Sequence, residues 1–164
     1  TQNSNAFLIA QGSLATYLSL SDDDRIVLAA RVAAGSVVGA SLAAIPSDRR
    51  LYAGGGGSVR GYGFQAASPR TPAGVLTGGR SFVESSLEAR IAITDTIGIV
   101  PFVDAGGAFA DSLPGKNGEF FAGAGVGLRY LTPVGPLRLD VAVPLKTIAG
   151  EPDYGIYVGF GQAF

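Results

Sequence analysis

Residues 120–145 read FFAGAGVGLRYLTPVGPLRLDVAVPL, two strand-like patterns back to back. Phe120, Ala122, Ala124, Val126, Leu128 and Tyr130 fall on one side of a period-two repeat, with Phe121, Gly123, Gly125, Gly127 and Arg129 on the other. After the TPVGP interruption the alternation resumes, with Leu137, Leu139, Val141, Val143 and Leu145 opposed to Arg138, Asp140 and Ala142. One face is apolar throughout, and the other holds glycines and charges. In a soluble sandwich the apolar face turns inward and the charges meet water. A transmembrane barrel inverts this, sending the apolar face to lipid and the polar face to the lumen. The alternation by itself fits both arrangements.

Composition narrows the choice. The 164 residues fit one domain; 47% are hydrophobic and only 15% charged, while 25 glycines and 9 prolines interrupt every helical pattern. Mean hydropathy is +0.33. Arg25, Arg31, Glu84, Glu88, Arg90, Arg129, Arg138 and Asp140 punctuate the apolar segments, so none approaches the ~18 residues of a membrane helix. A membrane-spanning barrel remains open. With a net charge of −1 there is no basic field for nucleic acid. Cys and His are both absent, which removes disulfides, thiolate chemistry, the commonest general base and the commonest metal ligand. The start, TQNSNAFLIAQG, has no basic region or cleavage motif and resembles an internal cut or a mature segment.

Seven segments alternate with period two, at 6–20, 25–40, 81–93, 97–110, 119–131, 136–145 and 154–164. Most reach the ~9–11 residues that cross a bilayer when tilted. In the last segment Ile156, Val158, Phe160 and Phe164 oppose Gly155, Tyr157, Gly159 and Gly161. The connections are short at 21–24, 94–96 and 132–136, and long at 41–80, 111–118 and 146–153. A strict short–long alternation suits tight turns on one membrane face and long loops on the other, whereas a soluble meander has no reason to obey it. The expected fold is therefore all-β, a transmembrane antiparallel β-barrel of about 7–8 strands. Seven is odd while single-chain bacterial barrels have even counts, so the chain reads as a piece of a larger barrel.

The longest connection contains GGGGSVRGYGFQ, residues 54–65. With no GxxxxGK[ST] and no helix to follow, these glycines are not a phosphate cradle. Val59, Tyr62 and Phe64 are apolar anchors that a flexible tether would lack, and the glycines let the backbone turn sharply in a crowded space. An arginine folded into a lumen needs acidic partners, because an unpaired buried charge is very costly. By parity Glu84, Glu88 and Arg90 share one face of their strand, and Phe102 and Asp104 one face of the next. Each of these carboxylates could instead face water in a pore, Glu84 above all. The acidic turn Asp22, Asp23, Asp24 lacks calcium-loop spacing and reads as a solvated cap. No catalytic residue, metal or cofactor is expected.

SVRGYGF after paired glycines, SLEA, FVDAGGAFA, GAGVGLRYLTPVGPLRLDVAVPL and the final YVGFGQAF resemble, in this order, the C-terminal part of the outer-membrane assembly-factor superfamily that includes BamA and TamA. TPVGPLRLDVAVPL, and the glycines before SVRGY with Ser68 and Pro69 soon after, are most similar to the TamA branch. The resemblance is strong over residues 50–164 and rests on pattern over 6–45. It implies a 16-stranded barrel preceded by POTRA domains, both only partly or not represented here, with 1–164 a single C-terminal barrel region. It implies that loop 41–80 folds into the lumen, with Val59, Arg60, Gly61 and Tyr62 as the loop-locking motif and Glu88 and Asp104 as the arginine's anchors. Ile156, Val158, Phe160 and Phe164 resemble a β-signal on a gate strand that pairs poorly with the barrel's first strand. Gly155, Gly159 and Gly161 would ease that seam or simply make room for the loop.

The implied function is assembly or insertion of outer-membrane proteins in the bacterial outer membrane, with client strands templated at the seam. The implied partners are the lipid bilayer, nascent outer-membrane proteins and, for a full-length parent, an inner-membrane partner subunit. As a piece, the chain would self-associate through open strand edges. Alternatives are a passive pore or polypeptide-secretion barrel of the same superfamily, and a soluble β-barrel binding small apolar ligands.

Overall fold

The computed structural model describes residues 6–164. Seven strands follow one another: β1 (Leu8–Ser19), β2 (Ile26–Val38), β3 (Ser81–Ala92), β4 (Ile97–Phe109), β5 (Phe121–Thr132), β6 (Gly135–Pro144) and β7 (Gly155–Phe160). They form one antiparallel sheet in chain order, open between β1 and β7. No eighth strand closes the gap among the described residues. Six strands lie close to the segments read from the alternation. The seventh stops at Phe160, because Gly161 adopts a positive φ of +90° and donates its N–H to the Pro136 carbonyl (2.8 Å).

Burial decides between the two arrangements left open by the pattern. The apolar face is the exposed one: Val126 is 52% exposed, Leu139 41% and Val158 79%. The face of glycines and charges is the buried one, with Ala29, Glu88, Asp104, Asp140 and Ala142 all sealed. A soluble sandwich or ligand-binding barrel would be built the other way round. An apolar exterior around a polar, filled interior is what hydrocarbon solvent selects.

The filling is residues 39–80, which lie on the inner face with two single-turn 3-10 helices, Leu42–Ala44 and Ser47–Arg49. An apolar cluster of Ala53, Val59, Tyr62, Ala66 and Ala67 from this loop packs on Ala108 and Phe121 of the wall. β1 lies beyond the loop's reach, and every one of its residues is exposed. At the long-loop end the segment after β4 folds over the outer face. The Glu119 carbonyl fills the space a Gly107 side chain would take, and the buried Phe109 ring packs 5.0 Å from Phe120.

Candidate functional site

The register of three strands sets the site. Glu88 on β3 stands beside Phe102 on β4, which stands beside Gly125 on β5. One row along, Ser86 pairs with Asp104, and Asp104 with Gly123. On the other side Gly127 of β5 pairs with Asp140 of β6. Three inward carboxylates thus surround a strip of β5 whose inward positions are all glycine. The strip has to be bare. A Cβ on Gly123 would land on the Arg60 carbonyl, one on Gly125 would meet the Phe102 ring, and one on Gly127 would meet Asp140.

Arg60 lies along this trough, 2% exposed, against three carboxylates that are 0% exposed. Its Nε and Nη2 donate to the two oxygens of Asp104 at 2.7 and 2.9 Å, and its backbone N–H adds a third bond at 3.1 Å. Nη1 donates to Asp140 Oδ2 at 3.0 Å and lies 2.9 Å from Glu88 Oε1, a close charge contact without hydrogen-bond alignment. Nη2 also reaches Ser86 Oγ at 3.2 Å, and the guanidinium carbon stands 3.4 Å over the centroid of Phe102. Such a fork suits a planar guanidinium and would not suit an ammonium.

A second ring of cations balances the acids. Arg129 Nη1 donates to Asp140 Oδ1 at 2.5 Å, and Arg138 Nε lies 3.6 Å from Oδ2. Arg90 Nε donates to Glu88 Oε2 at 3.0 Å, and Ser86 Oγ to Asp104 Oδ1 at 2.6 Å. Buried charges arranged this way offset their desolvation through several partners each.

The residues flanking Arg60 are held as closely. Val59 is fully buried in the loop's apolar cluster. Gly61 has φ +100°, and a Cβ there would sit 2.8 Å from the Val143 carbonyl group, so both conformation and space require glycine. Its N–H donates to the Tyr157 hydroxyl (2.9 Å), which in turn donates to the Tyr62 carbonyl (2.8 Å). The Tyr62 hydroxyl lies between the carbonyls of Ala122 and Lys146 (3.0 and 2.9 Å), and its ring meets Phe121 edge-on at 5.3 Å. Glu84 accepts from Ser58 of the same loop, and Arg70 pairs with Glu151 at 2.7 Å.

Val59, Arg60, Gly61, Tyr62, Glu88 and Asp104 therefore meet at one place. Asp140, Ser86, Phe102, Arg129 and Tyr157 join them, although the sequence reading assigned them no part. Parity had placed Asp140 and Tyr157 on the inward face; the alternate glycines of β5 were the signal that something bulky crosses from β4 to β6. On β7, Ile156, Val158 and Phe160 are exposed on the outer face. Phe164 departs from the alternation, which would send it to lipid: the turn at Gly161 brings its ring inside, 6.5 Å from Tyr17 of β1. Gly155 gives clearance to Tyr157, and a Cβ on Gly159 would approach Arg138 at 3.3 Å, so both glycines make room for neighbouring side chains. Among the described residues no group of three His, Cys, Asp or Glu is placed to hold a metal ion.

The entire chain, residues 1–164, matches the family described as the Omp85 superfamily domain. Over 123 residues it is 32% identical to outer membrane protein assembly factor BamA of Nitratidesulfovibrio vulgaris (strain Hildenborough), covering 73% of this chain and 16% of that protein. The crystal structure of BamA from Haemophilus ducreyi lacking POTRA domains 1–3 resembles it with a TM-score of 0.75 at 22% identity, covering 93% of this chain and 34% of that one. At that identity the likeness is one of fold, and the chain spans only a small part of the length of these relatives. With every residue inside the matched family and a BamA barrel superposing on the sheet, the chain belongs to the Omp85 superfamily of outer-membrane proteins.

Proposed function

We propose that the chain is the membrane-embedded barrel section of an outer-membrane protein assembly factor, acting on nascent outer-membrane proteins within the bilayer. The relative matched at 32% identity is named an outer membrane protein assembly factor, and the role proposed for this chain involves no enzymatic step. In this function Val59, Arg60, Gly61 and Tyr62 fix the loop in the lumen through Glu88, Asp104 and Asp140. The free side of β7 receives an incoming strand.

The observation that carries the proposal is that free side. Among the described residues β7 pairs with β6 on one flank and with no strand on the other, while Ile156, Val158 and Phe160 point outward. Backbone N–H and C=O groups left unpaired at hydrocarbon depth are costly, and an incoming strand satisfies them by extending the sheet. A passive pore fits less well, because an open channel gives no reason to bury three acids on one loop arginine. The finer assignment to a TamA-like branch rests on TPVGPLRLDVAVPL and the glycines before SVRGY, and carries with it an inner-membrane partner for a full-length parent.

Because the chain has no cysteine, a single Val158→Cys can be cross-linked to cysteines stepped along a client strand during assembly into lipid vesicles. Adducts at alternate client positions are expected. Absence of adducts, together with channel conductance and client assembly that both survive Arg60→Ala, would establish the pore instead.

A further inference from the structure

Past Gly161 the last residues turn into the lumen and are tied twice to the acids around Arg60. The first tie runs through Arg90 of β3. Its guanidinium carbon lies 5.3 Å from the ring centroid of Tyr17 on β1 and 5.1 Å from that of Phe164, and its Nη2 donates to the Phe164 main-chain carbonyl at 3.1 Å. The same guanidinium binds Glu88 Oε2 at 3.0 Å, and the other Glu88 oxygen lies 2.9 Å from Arg60. The second tie runs through Arg129 of β5. Its Nε donates to Gln162 Oε1 at 3.3 Å and its Nη1 to Asp140 Oδ1 at 2.5 Å, while Asp140 Oδ2 accepts from Arg60 at 3.0 Å.

We propose that Arg90 and Arg129 couple the inward seat of the C-terminal segment 161–164 to the hold on the loop arginine, so that releasing either one loosens the other. Glu88 and Asp140 are fully buried, and each divides its charge between Arg60 and one tail-binding arginine. When the tail leaves, Arg90 loses two ring faces and a carbonyl acceptor, and its share of Glu88 shifts. When Arg60 leaves, Glu88 turns wholly to Arg90, and Asp140 to Arg129 and the more distant Arg138. A coupling of this kind is reciprocal by thermodynamic necessity. Arg90 and Arg129 act through the acids and are positioning residues. The inference needs only the wall, the loop and the tail, and goes beyond the assembly role.

Two reporters test it on the full chain folded in detergent. A single Ala163→Cys, labelled with a bulky thiol reagent, reads the tail's seat, and trypsin cleavage within residues 49–70 reads the loop's. Arg90→Gln is expected to raise both rates, the labelling by about tenfold. Arg90→Lys, which keeps the charge beside Glu88 but not the ring contacts, is expected to restore loop protection more than tail protection. In the reverse direction, Arg60→Lys is expected to speed labelling at Ala163→Cys. If Arg90→Gln prevents folding, Tyr17→Leu removes one ring face, leaves every ion pair intact and must still expose the tail. A tail freed with loop cleavage unchanged overturns the coupling, and labelling unchanged in both Arg90→Gln and Tyr17→Leu overturns the seat. No client strand is read, so failure here leaves the assembly proposal to its own test.

Discussion

Arg60 spends a planar fork of donors on acids from three strands, and that geometry sets what a substitution does. Arg60→Ala leaves Glu88, Asp104 and Asp140 sealed with fewer cations among them and is expected to cost about 3–5 kcal/mol, measured as urea-dependent unfolding in lipid vesicles. Arg60→Lys keeps the charge but gives up the paired bonds to Asp104, so its loss should be smaller. Gly61→Ala forces a positive φ on alanine and drives a Cβ into the Val143 carbonyl. About 1–3 kcal/mol of backbone strain, with collision in addition, should unseat the loop. Faster proteolysis of residues 39–80 with the folded gel band unchanged would be the signature. Parity turned Glu84, Glu88 and Asp104 inward alike, and it was the family resemblance that singled out Glu88 and Asp104 as the arginine's anchors. Asp140 shares that parity, yet nothing in the sequence marks it as a third anchor. Only the depth of the trough over Gly123, Gly125 and Gly127 brings it to Arg60.

Strands were legible wherever lipid and lumen impose opposite chemistry on successive residues, which holds along β1 to β6. Where that opposition ends, so did the reading: Phe164 keeps the period of Phe160 on paper, yet one left-handed glycine between them carries it inside. The clasp of residues 111–119 over Phe109 was likewise unreadable, since it rests on clearances at Gly107 and Gly118 and on the Ser81 hydroxyl donating to the Asp111 carbonyl, none of which a period-two pattern marks. For the outer face, Val141→Arg should cost about 2–4 kcal/mol if it lies at the bilayer midplane and less toward either rim, read as the folded fraction in vesicles across a urea series. In the β1–β2 turn, the Ser21 hydroxyl and then the Arg25 N–H hold the Asp23 carboxyl below the ordinary aspartate range. A lowered value means the folded turn favours the ionised form, so its contribution is present above the unfolded pKa and fades as pH falls through the folded one. A carboxyl-carbon NMR titration of Asp23 should therefore have its midpoint below that of a free aspartate, and a midpoint at or above it would refute the assignment.

At the scale of the whole molecule, both outer edges of the sheet lack a partner strand among the described residues, and every residue of β1 is exposed. Edge strands of this kind pair with whatever strand arrives, and in detergent the expected arrival is another copy of the chain. Light scattering should report dimers or larger species whose share rises with concentration, and a strictly monomeric chain would show that something else covers the edges. The acids around Arg60 also lie far along the chain from it, with Asp104 and Asp140 following by 44 and 80 residues. Contacts so distant in sequence close late. A chain halted before β6 would hold the guanidinium by fewer acids, and one halted before β4 would leave it with Glu88 and no bidentate partner. The arginine thereby audits synthesis: its loop comes to rest only after the wall behind it has been finished.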